Sequence, residues 1–321
     1  IVFLPNIMIL YLFISFMEDS GYLARAAFIM DRVMHRIGLH GKSFIPLIMG
    51  FGCNVPAIMA CRTIESRSSR LITILITPFM SCSARIPIYL LLAGTFFAAD
   101  ASMVMIGLYV LGVVLAVVTA RLMRRFMFPV DETPFVMELP PYRLPTWKTT
   151  LTHMWDKCAQ YLRKMGGMIL IASMVVWFLS YYPRSEEGGT AVHYENSYLG
   201  RLGQSCAPIF SPLGLNWKAG VAILSGVSAK EIVVSTLGVL YSQDATADDA
   251  SLAQTLRESG DFTPASALAF LVFVLLYFPC IATIVAVRNE AGRGWALASM
   301  VYSTAVAWFV AWIVYHIALL L

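Results

Sequence analysis

Apolar runs of about twenty residues recur along this chain, and two of them are broken by proline and glycine. A run of that length can cross a bilayer as a helix, so the chain is constrained before any motif is read. The first broken run is Phe44-Ile-Pro-Leu-Ile-Met-Gly-Phe-Gly-Cys-Asn-Val-Pro56, followed by Arg62 and Glu65. The second is Phe270-Leu-Val-Phe-Val-Leu-Leu-Tyr-Phe-Pro-Cys-Ile-Ala-Thr283, followed by Arg288 and Glu290. A broken membrane helix frees backbone carbonyls and exposes half-helix ends, tolerable only where protein or a wet cavity satisfies them. Paired interruptions in two halves of a chain point to the binding site of a transporter.

Composition agrees. With 59% apolar and 13% charged residues, the chain is far from a soluble domain, where charged residues make up roughly a quarter. The expected class is all-α: a polytopic helical membrane protein with two pseudo-repeats and broken or re-entrant helices. A net charge of +4 is too small to argue for nucleic acid. The six cysteines show neither CxxC pairing nor zinc-finger spacing, and Cys61, Cys158 and Cys206 read as small buried hydrophobes. The chain opens mid-helix without an initiator Met, which reads as a piece of something longer.

Along the chain, residues 1–17 read as the end of a transmembrane helix and 18–128 as a first membrane repeat. Residues 129–165 read as a cytoplasmic connector with an interfacial helix, and 166–218 as a transmembrane helix and outer loop. Residues 219–321 read as a second repeat, beginning with a span over 219–241. Within the first repeat, Pro78 and Pro87 predict a break near Cys82. Basic residues in 121–165 and in the Arg62–Arg70 loop place both inside. Counting spans puts 183–218 outside and 242–262 inside. A re-entrant reading of both cysteine-bearing segments then keeps Arg288 and Arg293 inside. The repeat is supported by Ser20-Gly-Tyr-Leu-Ala-Arg25 against Ser225-Gly-Val-Ser-Ala-Lys230, which aligns the Cys53 segment with the Cys280 segment.

Lys230 and Glu231 interrupt the apolar 219–241 run. An ionisable residue at that depth usually faces a partner or a cavity; on a helix these neighbours would point about 100° apart. Cys53, Cys82 and Cys280 are candidate soft ligands, because thiolate suits iron, zinc or copper(I) rather than magnesium or calcium. Cys53 adjoins Asn54, and Cys82 lies between Ser81 and Ser83 with Arg85 nearby. Gly38-Leu-His-Gly-Lys-Ser43 ends like a phosphate loop but has Arg36 where that motif needs glycine. No histidine is spaced to complete a nucleophile and base with a cysteine, so an enzyme is not expected.

At these motifs the chain resembles the membrane domain of the bacterial ferrous iron transporter FeoB family, whose two repeats are of the nucleoside-recognition Gate type. The resemblance is carried by Glu18-Asp-Ser-Gly-Tyr-Leu-Ala-Arg-Ala-Ala-Phe-Ile-Met-Asp-Arg32, Gly38-Leu-His-Gly-Lys-Ser-Phe-Ile-Pro46 and Gly50-Phe-Gly-Cys-Asn-Val-Pro-Ala57. Pro78-Phe-Met-Ser-Cys-Ser-Ala-Arg85, Ala229-Lys-Glu-Ile-Val-Val234 and Tyr277-Phe-Pro-Cys-Ile-Ala-Thr283 continue it in order. It implies Fe2+ import across the bacterial inner membrane, with Cys53, Cys82 and Cys280 lining the path. The expected oxygen co-ligands are Glu231, Glu18 or Asp19, with Lys230 as a balancing charge and Asn54, Ser81 and Arg85 as supports. It further implies an N-terminal GTPase domain using GTP and Mg2+, small cytosolic Feo accessory proteins, a homo-oligomer in lipid, and no cofactor or nucleic acid for this chain. A nucleoside or other small-solute carrier of the same architecture is the rival expectation.

Overall fold

A computed structural model describes residues 4–128, 145–183, 196–241 and 249–320. The proline-rich start of the expected connector, the middle of the expected outer loop and residues 242–248 lie outside these. The described residues contain helices and no strand. In chain order the helices are α1 (Leu4–Asp19), α2 (Tyr22–Ile37), α3 (Phe44–Gly52), α4 (Asn54–Ala60) and α5 (Arg67–Ile76). Next come α6 (Ile86–Phe96), α7 (Ala101–Phe126), α8 (Trp147–Tyr181), α9 (Tyr198–Phe210) and α10 (Trp217–Ser225). The last are α11 (Ile232–Tyr241), α12 (Asp249–Glu258), α13 (Pro264–Leu276), α14 (Ile281–Ala291) and α15 (Arg293–Leu320).

Local sequence explains several helix starts. Ser66, Ser197 and Asn216 each accept a bond from an amide three residues on, satisfying first-turn donors that have no helical partner. Thr263 and Ser266 form a reciprocal cap around Pro264 at the start of α13. Gly21, at φ 77°, separates α1 from α2, and the pair bends by 79°. The α8 helix runs through the boundary expected between connector and span, with a 44° bend between Lys164 and Gly166.

Among the described residues, four stretches are long and apolar enough to cross a membrane: 67–96, 101–126, 264–291 and 293–320. The two containing breaks are the inner ones, 72% and 78% buried over their most apolar window. The unbroken α7 and α15 are only 28% and 22% buried and turn Ile106, Val110, Val114, Leu297, Val301 and Phe309 outward. This is the arrangement lipid demands, since irregular backbone must be covered by protein.

One succession occurs twice: a short pair broken in the middle, a second broken pair, then a long helix. In the first half these are α3/α4, α5/α6 and α7; in the second, α10/α11, α13/α14 and α15. The order matches the Cys82 break with the Cys280 break, and the Cys53 break with residues 226–231. The expected span over 219–241 is therefore two helices, and the sequence alignment of Cys53 with Cys280 is out of register.

The ends of the helices also sort by charge. The Arg62 Nε donates to Oε1 and Oε2 of Glu290 at 2.8 and 2.6 Å, which places the start of α5 beside the end of α14. Lys42 pairs with Glu65 at 2.6 Å, Arg121 reaches the Arg36 carbonyl at 3.3 Å, and Phe128 packs on Trp295. At the other end of α6 the Thr95 carbonyl accepts from Arg257, and Phe96 packs on Phe262. The described part of 242–262 thus sits opposite the arginine-rich end, not with it as span counting suggested. Arg288 and Arg293 join Arg62, Arg67, Arg70 and Arg121 without a re-entrant Cys280 segment, because 264–291 passes as one broken stretch of 28 residues, whereas the Cys53 segment turns back on itself and brings Lys42 to Glu65.

The two-point Arg62–Glu290 clamp is half-exposed on its arginine side and 9% exposed on the glutamate side. Glu290→Gln should therefore lower stability by only about 0.5–1 kcal/mol, a loss that shrinks as salt is added. Thermal unfolding at low and high ionic strength checks both the size and the salt dependence.

Candidate functional site

Each helix break leaves a carbonyl that needs a donor, and a residue of the same or a neighbouring break supplies it. Pro56 has no amide hydrogen to offer the Gly52 carbonyl four residues back. That carbonyl instead accepts from Ser83 Oγ at 2.9 Å, joining the Cys53 break to the Cys82 break. Arg85, fully buried, donates Nη1 to the Met80 carbonyl at 3.0 Å and Nη2 to the Pro78 carbonyl at 3.2 Å. Ser81 meets Tyr89 Oη at 3.1 Å.

The second half repeats the device with other residues. Lys230, 3% exposed, donates to the Phe278 carbonyl at 3.0 Å, and its Nζ lies 3.0 Å from the Tyr277 ring centre. The Ile281 amide donates to the Val227 carbonyl at 3.0 Å, so the 226–231 break is stitched to the Cys280 break. Lys230 and Glu231 belong to this turn and not to a helix. The angular argument made for them on a helix does not apply.

These stitched pairs bring the three cysteines into one neighbourhood. Cys53 lies within electrostatic reach of Cys280 and Cys82, and Lys230 within reach of Arg85, Cys280 and Cys82. Tyr161, from α8, belongs to an apolar cluster against which Cys53 and Cys280 pack. All three thiols are partly accessible, whereas Cys61 and Cys158 are buried. Cys280 Sγ is 3.3 Å from Thr283 Oγ1. Among the described residues, no group of three or more His, Cys, Asp or Glu side chains is close enough to hold a metal. The thiols are neighbours at a crossing of breaks, without a closed coordination shell.

Two sequence candidates belong elsewhere. Glu18 pairs with Lys157, while Asp19 accepts from Thr150 at 3.1 Å and meets His153 at 3.0 Å. Both carboxylates fasten the end of α1 to α8. Glu231 is half-buried in the 226–231 turn and takes part in none of the ion pairs among the described residues. Asn54 is buried with Oδ1 unpartnered. Tyr161 and Tyr277 were missed by sequence reasoning; only the position of Tyr277 just before Phe278-Pro279-Cys280 could have flagged one of them.

Comparison with known proteins matches this architecture. A family model described as nucleoside recognition, Gate, fits residues 1–96 and 162–294, and one for the ferrous iron transport protein B C terminus fits 105–157. Among curated proteins, the chain is 54% identical to an Fe(2+) transport protein A/Fe(2+) transporter FeoB fusion protein of Porphyromonas gingivalis, covering 100% of this chain and 43% of that one. The chain belongs to the Gate-type FeoB family. Other FeoB relatives are those of Campylobacter jejuni, 43% identical over 100% of this chain and 54% of theirs, and Methanocaldococcus jannaschii, 43% identical over 98% and 47%. The chain spans about half the length of the FeoB relatives it matches. No solved structure is a significant match. As a FeoB family member with four spanning stretches, it is a multi-pass membrane protein whose curated relatives are transporters.

Proposed function

We propose that this chain forms the membrane pathway of a ferrous iron importer, with Fe2+ passing between the broken helices and touching Cys53, Cys82 and Cys280. The observation that carries the reading is the convergence of three thiols, each from a different helix break, beside the carbonyl-capping Arg85 and Lys230. Thiolate suits a borderline metal, and a pathway needs binding weak enough to release its ion. Thiols that are neighbours without a closed shell fit that need. Glu231 sits beside the crossing as a carboxylate within the same turn as Lys230. Ser81 and Ser83 support the backbone there.

The names of the relatives support Fe2+ as substrate, and the Porphyromonas gingivalis fusion supports a small Feo accessory protein as partner. On this reading the transporter lies in the inner membrane, and a GTP-binding domain using Mg2+ drives it, in a homo-oligomer. The second reading, a nucleoside carrier, is favoured by the description of the Gate family model.

Uptake into proteoliposomes containing the protein at its natural length separates the two. Fe2+ should accumulate in preference to Mn2+, Zn2+ and nucleosides. Cys53→Ser and Cys280→Ser should each lower Fe2+ uptake roughly tenfold or more, as expected on losing a metal contact. Uptake of nucleosides that ignores both substitutions would favour the carrier reading instead.

A further inference from the structure

We infer that Asn54 supplies the oxygen donor to the transported divalent cation, beside the thiol of Cys53. This rests on the iron-pathway reading above. Asn54 opens α4 immediately after the extended Cys53, so its side chain leaves the chain at the break itself. The residue is 4% exposed, and its Oδ1 is buried with no hydrogen-bond partner. Buried side-chain oxygens without a partner are rare and call for an explanation such as an ion.

The surroundings say where that oxygen points. A Cβ placed on Gly50 would come within 3.4 Å of Asn54 Oδ1 and 2.9 Å of Met80 Cβ. Gly50 thus presents bare backbone to Oδ1, where α3 packs closely on the Cys82 break. Met80, 3% exposed, packs closely against the same glycine. Its thioether is a soft donor, as are the thiols of Cys53 and Cys82.

Chemistry favours an amide oxygen here. Soft donors alone suit copper(I) and zinc, and an oxygen donor moves the set toward Fe2+. The carboxylates first expected to provide it, Glu18 and Asp19, are engaged with α8. A neutral amide can be held in this interior far more cheaply than a carboxylate. It also adds no fixed charge that would hold the ion too tightly to leave.

The test is anaerobic Fe2+ binding by the natural-length protein in detergent, with thermal unfolding measured on the same samples. Asn54→Ala should weaken Fe2+ binding by roughly tenfold or more, while leaving the unfolding temperature unchanged or raised, because it deletes an unsatisfied buried oxygen. Asn54→Asp, which keeps an oxygen at the same place, should bind Fe2+ at least as tightly as the unmodified protein. Wild-type binding by Asn54→Ala alongside weakened binding by Cys53→Ser would overturn the inference and leave the pathway reading standing. Wild-type binding by both variants would remove the two together. A lowered unfolding temperature in Asn54→Ala, with Asn54→Asp equally unable to bind, would make Asn54 a structural residue and overturn the inference.

Discussion

Replacing Arg85 with alanine should lower the stability of the fold by about 4 kcal/mol or more, the largest loss expected from one substitution. Arg85 is the largest of the fully buried side chains, and it alone satisfies the carbonyls of Pro78 and Met80. Each carbonyl left unpaired in the interior costs about 1–3 kcal/mol, and the emptied volume adds a cavity term of similar size. Relief of the buried charge, of its unpartnered Nε and of its repulsion with Lys230 opposes this, but two stranded carbonyls and the cavity together outweigh it. Arg85→Lys offers one compact donor head in place of the planar fork and should recover only part of the stability. Thermal unfolding of the purified protein measures both; an unchanged midpoint for Arg85→Ala would show that the break does not depend on this residue.

Gly112 and Gly107 should respond to alanine in opposite directions, although both lie on α7. A Cβ on Gly112 would stand 2.7 Å from the Phe79 carbonyl oxygen. That contact is with backbone, in the turn leading into the Cys82 break, where Arg85 holds the carbonyls on either side. It can be relieved only by pushing α7 and the break apart, at about 2–3 kcal/mol. Gly107 meets nothing within 4 Å, so alanine there gains helix propensity worth up to about 1 kcal/mol. Unfolding midpoints should fall for Gly112→Ala and hold or rise for Gly107→Ala. A fall in Gly107→Ala equal to that in Gly112→Ala would show that α7 is sensitive to any added bulk, not to close approach at the break.

These two residues also mark what a sequence can reveal here. Breaks at Cys53, Cys82 and Cys280 are written in proline, because a missing amide hydrogen has a fixed local consequence. The break at 226–231 carries no proline, only Gly226 among small residues, and an apolar run of that length reads as a span. Lys230 and Glu231 were the trace of it: charged residues sit there because the backbone has already left the helix. Glu18 and Asp19 show the converse. Acids at the end of an apolar helix look like ligands until α8 is seen to bring Lys157, His153 and Thr150 to them. The register of the two halves was hidden too, since Ser20 and Ser225 begin similar words at non-equivalent places. The clustering of the thiols could be anticipated only from the family resemblance; spacing in the chain says nothing of distances between breaks.

Arg85 carries a consequence beyond holding a turn. A guanidinium keeps its charge at any physiological pH, so Lys230 has a permanent positive neighbour in the interior. On the iron-pathway reading, a dication at the crossing would meet that charge as repulsion. A storage site would surround iron with carboxylates and keep it. On the iron-pathway reading, this crossing would shorten the stay of each ion, trading occupancy for throughput.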